Sequence, residues 1–81
     1  MVHDLKILPE YYVSILSGEK RFEVRRNDRD FNVGDFLYLR EYDKSTSSYT
    51  GRAILCIVTY ILRDDVDFVK VGYCIMSIDV I

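Results

Sequence analysis

Residues 2 to 8 alternate. His3, Leu5 and Ile7 fall on one side and Asp4 and Lys6 on the other, the period of a half-buried strand. Pro9 then opens a helix, because its missing N–H matters least in the first turn, and Glu10 suits the positive helix end. Tyr12, Ile15 and Leu16 recur at helical spacing, and Gly18 marks the stop. A helix of about nine residues is too short to stand alone and must pack on something larger.

Lys20 to Arg26 alternates again, with Phe22 and Val24 on one side and Arg21, Glu23 and Arg25 on the other. Asn27 to Asn32 is a polar loop, closed by a turn at Val33-Gly34-Asp35. Phe36 to Tyr42 reads as a strand with Leu37 and Leu39 on one face. Asp43 to Gly51 reads as a hairpin loop, with Gly51 free to take a positive φ. Arg52 to Leu62 is a long strand, apolar on both faces, which asks for cover on both sides. After a loop at Asp64 to Lys70, Val71 to Ile81 ends the chain as a strand with Cys74, Met76, Ile78 and Val80 on one face. Five strands and one early helix predict an α+β, mainly β domain occupying all of residues 1–81. A small, partly closed β-barrel with the helix plugging one end satisfies the pattern best. The doubly apolar strand should be central, with Ile57 and Val58 both buried.

Charge sharpens this picture. The chain sums to −2, yet residues 20 to 29 set five cations (Lys20, Arg21, Arg25, Arg26, Arg29) against Glu23 and Asp28, a local +3. A mildly acidic chain with one basic segment suggests a localised anion site. The alternative is a self-neutralised face, since Glu23, Asp28 and Asp30 lie within reach of the same arginines.

Other chemistry is thinly represented. Cys56 and Cys74 sit in apolar strand runs, where a cysteine behaves as a small buried hydrophobe. One histidine cannot complete a protein-only zinc site, so neither a metal nor a cofactor is expected. No apolar run approaches the roughly 20 residues that span a bilayer, and the start lacks a secretory pattern. A cytoplasmic chain without a membrane partner is the expectation; its oligomeric state is not legible.

Three segments carry a family resemblance: His3-Asp4-Leu5-Lys6-Ile7, Ser17-Gly18-Glu19-Lys20-Arg21-Phe22-Glu23-Val24-Arg25 and Phe31-Asn32-Val33-Gly34-Asp35-Phe36-Leu37. Their ordered series resembles the ASCH (activating signal cointegrator homology) family of the PUA-like superfamily, especially short bacterial and phage members. The resemblance covers essentially the whole chain. It implies a PUA-like β-barrel that binds RNA or a modified nucleoside. Some ASCH proteins look like small amidohydrolases acting on acetylated cytidine through a Lys, a Thr and a Glu. Lys20 matches the Lys, Glu23 stands at the Thr position, and the insertion that carries the family's Glu is missing.

The candidate ligand-binding residues are Lys20, Glu23, Arg25, Arg26, Asn27, Arg29 and Phe31. Arginine forks match phosphates and base edges bidentately, and Glu23 can accept from a base amino group. Phe31, in the polar loop beside the arginines, is the aromatic best placed to stack a base. Lys20 and Glu23 are the only catalytic candidates. Strict alternation puts them on opposite faces, unless Lys20 precedes the regular strand. Structural roles compete for each. Arg25 can pair with Glu23 or Glu41 to close the barrel, Arg26 and Arg29 can be solvated beside Asp28 and Asp30, and His3 can be a hydrogen-bonded core residue. The leading expectation is a non-catalytic RNA- or nucleotide-binding module. A nucleoside amidohydrolase and a protein-interaction or regulatory domain are the alternatives.

Overall fold

The computed structural model describes residues 1–81. Its elements run β1 (Val2–Ile7), α1 (Pro9–Leu16), β2 (Phe22–Arg26), β3 (Phe36–Asp43), β4 (Ser48–Leu62) and β5 (Tyr73–Val80). The strands form one curled sheet in the order β1-β3-β4-β5-β2. β1 lies parallel to β3, and every other neighbouring pair is antiparallel. The result is a half-barrel. β1 and β2 are its edges and face each other across an open seam, so the expected barrel is present but not closed by a backbone ladder.

The concave face holds the core. Leu5 and Ile7, Leu37 and Leu39, Ile54, Cys56 and Val58, and Cys74, Met76 and Ile78 turn inward, with Tyr12 and Ile15 of α1 packed over them. The helix begins at Pro9 and ends before Gly18, whose φ of 84° reverses the chain. Leu16, which shares the helical spacing of Tyr12 and Ile15, is exposed, because so short a helix touches the sheet on a narrow stripe.

β4 is central, as its apolar character requires, but only one of its faces is covered. Val58 is buried while Ile57 is half-buried, and Leu55 and Tyr60 face outward. The expectation that both Ile57 and Val58 lie inside is therefore corrected. A register shift between Val58 and Tyr60 supplies the reason. Before it residues 54, 56 and 58 point in, and after it Ile61 does. A bulge that flips the inward set makes one half-exposed strand look apolar on both sides. β4 also starts earlier than expected, at Ser48, so the hairpin loop is only a short turn. At the far end of β5, Val80 is exposed and leaves the inward row.

A second irregularity, between Arg40 and Tyr42, loops out Thr50-Gly51-Arg52 opposite Glu41. Glu41 is 1% exposed. Its carboxylate accepts from Thr50 Oγ1 at 2.6 Å and from both Arg52 Nε and Nη2 at 2.8 Å. Those donors, the Arg52 guanidinium foremost, hold the Glu41 carboxyl below its usual pKa. Arg52, not Arg25, is thus the partner of Glu41.

Candidate functional site

On β2 the charged side, not the apolar one, holds the buried residue. Phe22 and Val24 on β2 are about half exposed, and Glu23 between them is only 4% exposed. An edge strand at an open seam tolerates this inversion because each oxygen of the inward carboxylate has a cationic donor. Lys20 Nζ donates to Glu23 Oε1 at 2.5 Å, and Arg25 Nε donates to Glu23 Oε2 at 2.8 Å. The reach of Lys20 follows from its position. It lies before the regular strand, its own N–H bonded to Ser14 O at the end of α1, and its Nζ also donates to Phe22 O. The two catalytic candidates, on opposite faces by strict alternation, are thereby brought together.

Above Glu23 lies a cleft of about 670 Å³, inside the size range of small-molecule sites. Lys6, Ile7 and Leu8 line one side, Tyr11 and Ser14 of α1 form the roof, and Glu19, Lys20 and residues 22–26 form the other side. Lys20 Nζ sits 4.9 Å from the Phe22 ring and 5.5 Å from the Tyr11 ring, both half-exposed aromatics. The cleft therefore combines a buried carboxylate, two cations in contact with it, two aromatic rings and an exposed arginine, Arg26, at its edge.

The other candidates separate. Arg25 spans the seam, its Nη2 donating to Lys6 O at 2.6 Å. Arg29 does the same further along, from Nη1 to Asp4 O at 3.1 Å. Both arginines thus provide donors to β1, an edge strand without a partner on that side. Arg26 lies over Tyr73 and reaches its hydroxyl at 3.3 Å. Asn27 is committed to the loop: its N–H donates to Gly72 O, and its Oδ1 accepts from the Phe31 N–H.

Phe31 corrects the expectation of a stacking platform. It is 0% exposed and packs edge-on against His3 at 4.7 Å. The loop turns this one apolar side chain into the mouth of the core, and Arg63 Nη2 caps its carbonyl at 2.9 Å. No base can stack on it in the folded protein. His3 is the hydrogen-bonded core residue that its place on the Leu5/Ile7 face suggests, its Nε2 being 2.8 Å from Asp35 Oδ2. This contact to His3 and the Asn32 N–H hold the Asp35 carboxyl below its usual pKa despite burial.

Three cleft residues escaped the sequence reading. Tyr11 carried no signal in the helix, Lys6 fell on the polar side of β1, and Phe22 on the apolar side of the Lys20–Arg26 strand. Only the short helix next to the Lys20 strand hinted that Tyr11 would roof the same space. The structure contains no cluster of three or more His, Cys, Asp or Glu side chains placed to hold a metal ion. No helix is long and apolar enough to cross a membrane.

Comparison with known proteins places this geometry in a family. The model described as "Domain of unknown function (DUF3850)" matches residues 2–78, and the chain belongs to that family. The chain is also similar to the "Uncharacterized 12.9 kDa protein in GpA 3'region" of Escherichia phage P2. They are 34% identical over 58 residues, which is 72% of this chain and 51% of the phage protein. The chain thus spans about half the length of that curated relative.

Proposed function

We propose that this DUF3850 domain is an RNA- or nucleotide-binding module, and that its site is the cleft over Glu23. The observation that carries this reading is the buried Glu23 carboxylate, held between Lys20 and Arg25 in a cleft that the Tyr11 and Phe22 rings also line. Each carboxylate oxygen has one protein donor and keeps a lone pair for a ligand. An exocyclic amino group of a base is a fitting donor, and the aromatic rings offer it a stacking surface. Lys20 uses two of its three N–H groups on Glu23 and Phe22 O, leaving one for a base carbonyl. Arg26, exposed at the edge, suits the phosphate. The resemblance to ASCH domains supports the same reading. Two free, buried cysteines accord with a reducing, cytoplasmic setting.

Titration of the four ribonucleoside monophosphates against the protein tests this. Amino-bearing bases should bind more tightly than uracil, and Glu23→Gln should weaken them by about tenfold, the scale of one charged hydrogen bond. Arg26→Gln, on an exposed side chain, should weaken monophosphates and leave nucleosides unchanged. Absence of binding by all four, or equal binding by folded Glu23→Gln, overturns the reading.

The contact between Lys20 and Glu23 also favours a second reading, a nucleoside amidohydrolase in which the pair acts on one substrate atom. Release of acetate from an acetylated nucleoside, lost in Lys20→Met, is its test. No release from the folded wild type removes it.

A further inference from the structure

The outer face of the sheet carries a second group of side chains that the cleft does not use. Leu37, Leu39 and Glu41 point inward, so Tyr38, Arg40 and Tyr42 stand in one outward row along β3. Same-face neighbours on a strand are roughly 6.8 Å apart. β1 and β4 add to this row. Lys6 Nζ lies 4.3 Å from the Tyr42 ring, the Arg40 guanidinium lies 3.8 Å from the Tyr49 ring, and Tyr42 and Tyr49 meet edge to face at 5.2 Å. Aromatic rings and cations therefore alternate along β3, with Lys6 beside Arg40 and Tyr49 beside Tyr42 in the neighbouring strands. Lys6 both lines the cleft and reaches this row, so the two surfaces meet at one residue.

We propose that this row is a track for single-stranded nucleic acid, on which nucleotides that leave the cleft stack in succession on Tyr42/Tyr49, Arg40 and Tyr38. The proposal rests on the cleft reading only for the point where the strand enters. Base stacking on tyrosine rings and guanidinium planes is sequence-tolerant, because every base has a π-face. The Arg40 guanidinium lies over the Tyr49 ring, and the Arg40 side chain is 37% exposed. Its counter-ion is Asp4, itself 58% exposed at 3.4 Å, a loose pair that a phosphate can displace. A protein partner would have no comparable need for alternating rings and cations at nucleotide-like intervals.

The test compares cytidine monophosphate with oligocytidylates of two, four and eight nucleotides, as ribose and deoxyribose series, by fluorescence anisotropy with the whole chain. The wild type should gain about tenfold or more in affinity between the mononucleotide and the four-nucleotide strand, the scale of one or two stacked bases. Tyr49→Ala, and separately Arg40→Gln, should remove most of that gain and leave mononucleotide binding unchanged. Thermal melts confirm that both variants fold, and Tyr38→Ala provides a third, more exposed probe. A larger gain in the ribose series identifies RNA as the strand, and equal gains identify single strands of either kind; both support the track. Affinity that does not rise with length, or a gain that survives all three substitutions, overturns it and leaves the face to structural pairing or a protein. Length-dependent binding without any mononucleotide binding would sustain the track while defeating the cleft.

Discussion

Arg25 and Lys6 meet across the seam of the half-barrel: Arg25 Nη2 donates to the Lys6 carbonyl at 2.6 Å, although their strands do not pair. The same guanidinium holds Glu23 through Nε. One side chain therefore fixes the carboxylate at the cleft floor and ties the two free edges of the sheet together. The arginine run divides by this criterion. Arg25 and Arg29 serve the seam, and Arg26, over Tyr73 at the edge, remains available to a ligand.

Arg25→Gln should therefore destabilise the fold by about 2 kcal/mol, the scale of a charged hydrogen bond lost from a partly buried site. For a domain of this size that lowers Tm by roughly 10 °C. Arg26→Gln should stay within about 0.5 kcal/mol of wild type. Thermal denaturation of the two variants side by side decides it, and equal melting would contradict the division.

The inverted strand makes a second prediction. Phe22→Thr and Val24→Thr should be nearly neutral for stability, because both side chains already face solvent. Leu37→Ala, at a fully buried position, should cost about 2–5 kcal/mol. Urea unfolding midpoints give the comparison. A Val24→Thr loss close to that of Leu37→Ala would mean that β2 presents its other face to the core.

Much of this architecture is legible in the sequence, and each failure has its own physical cause. The period of two located β1, β3 and β5, and Pro9 and Gly18 bracketed the helix. Alternation alone cannot say which of two sets faces in, and hydrophobicity alone would favour Phe22 and Val24. What overrode it was the pairing of Glu23 with Lys20, three residues away, and Arg25, two residues away, a local neutralisation that no periodicity reports. Phe31 failed the opposite way. A polar loop gave no sign that its one aromatic turns inward to His3, a contact 28 residues distant in the chain. For β4, the bulge made a one-sided strand look two-sided.

Stability should fall in acid, and the sign follows from three carboxyls. Asp35 is acidified by His3, Glu41 by Arg52 and Asp43 by Ser45. Each folded pKa lies below its unfolded value, so the unfolded chain binds more protons across that interval. Their contribution is fully present above the ordinary carboxylate range and is lost as pH drops through the depressed values. Tm measured from neutral pH downward should hold level and then decline below about pH 4.5, near the ordinary carboxyl range. Asp35→Asn should flatten part of that decline. A Tm that rises on acidification would contradict the assignment.

Burial pushes the Cys56 thiol up to about 11 and raises that of Cys74 as well. Neither should react with a thiol reagent at pH 8 in the folded protein, because the thiolate is the nucleophile. Both should react once denaturant is added. Rapid labelling of either without denaturant would show that the sheet opens around β4 or β5.

The central claim is that the cleft over Glu23 receives a nucleotide, and a heteronuclear NMR titration with cytidine monophosphate tests it most directly. The account predicts amide shifts concentrated at residues 6–8, 11, 14, 19, 20 and 22–26, the cleft lining, with little change at Phe31 or in the loop from Asp64 to Lys70. Saturating shifts centred elsewhere, or an unchanged spectrum at millimolar nucleotide, would contradict it.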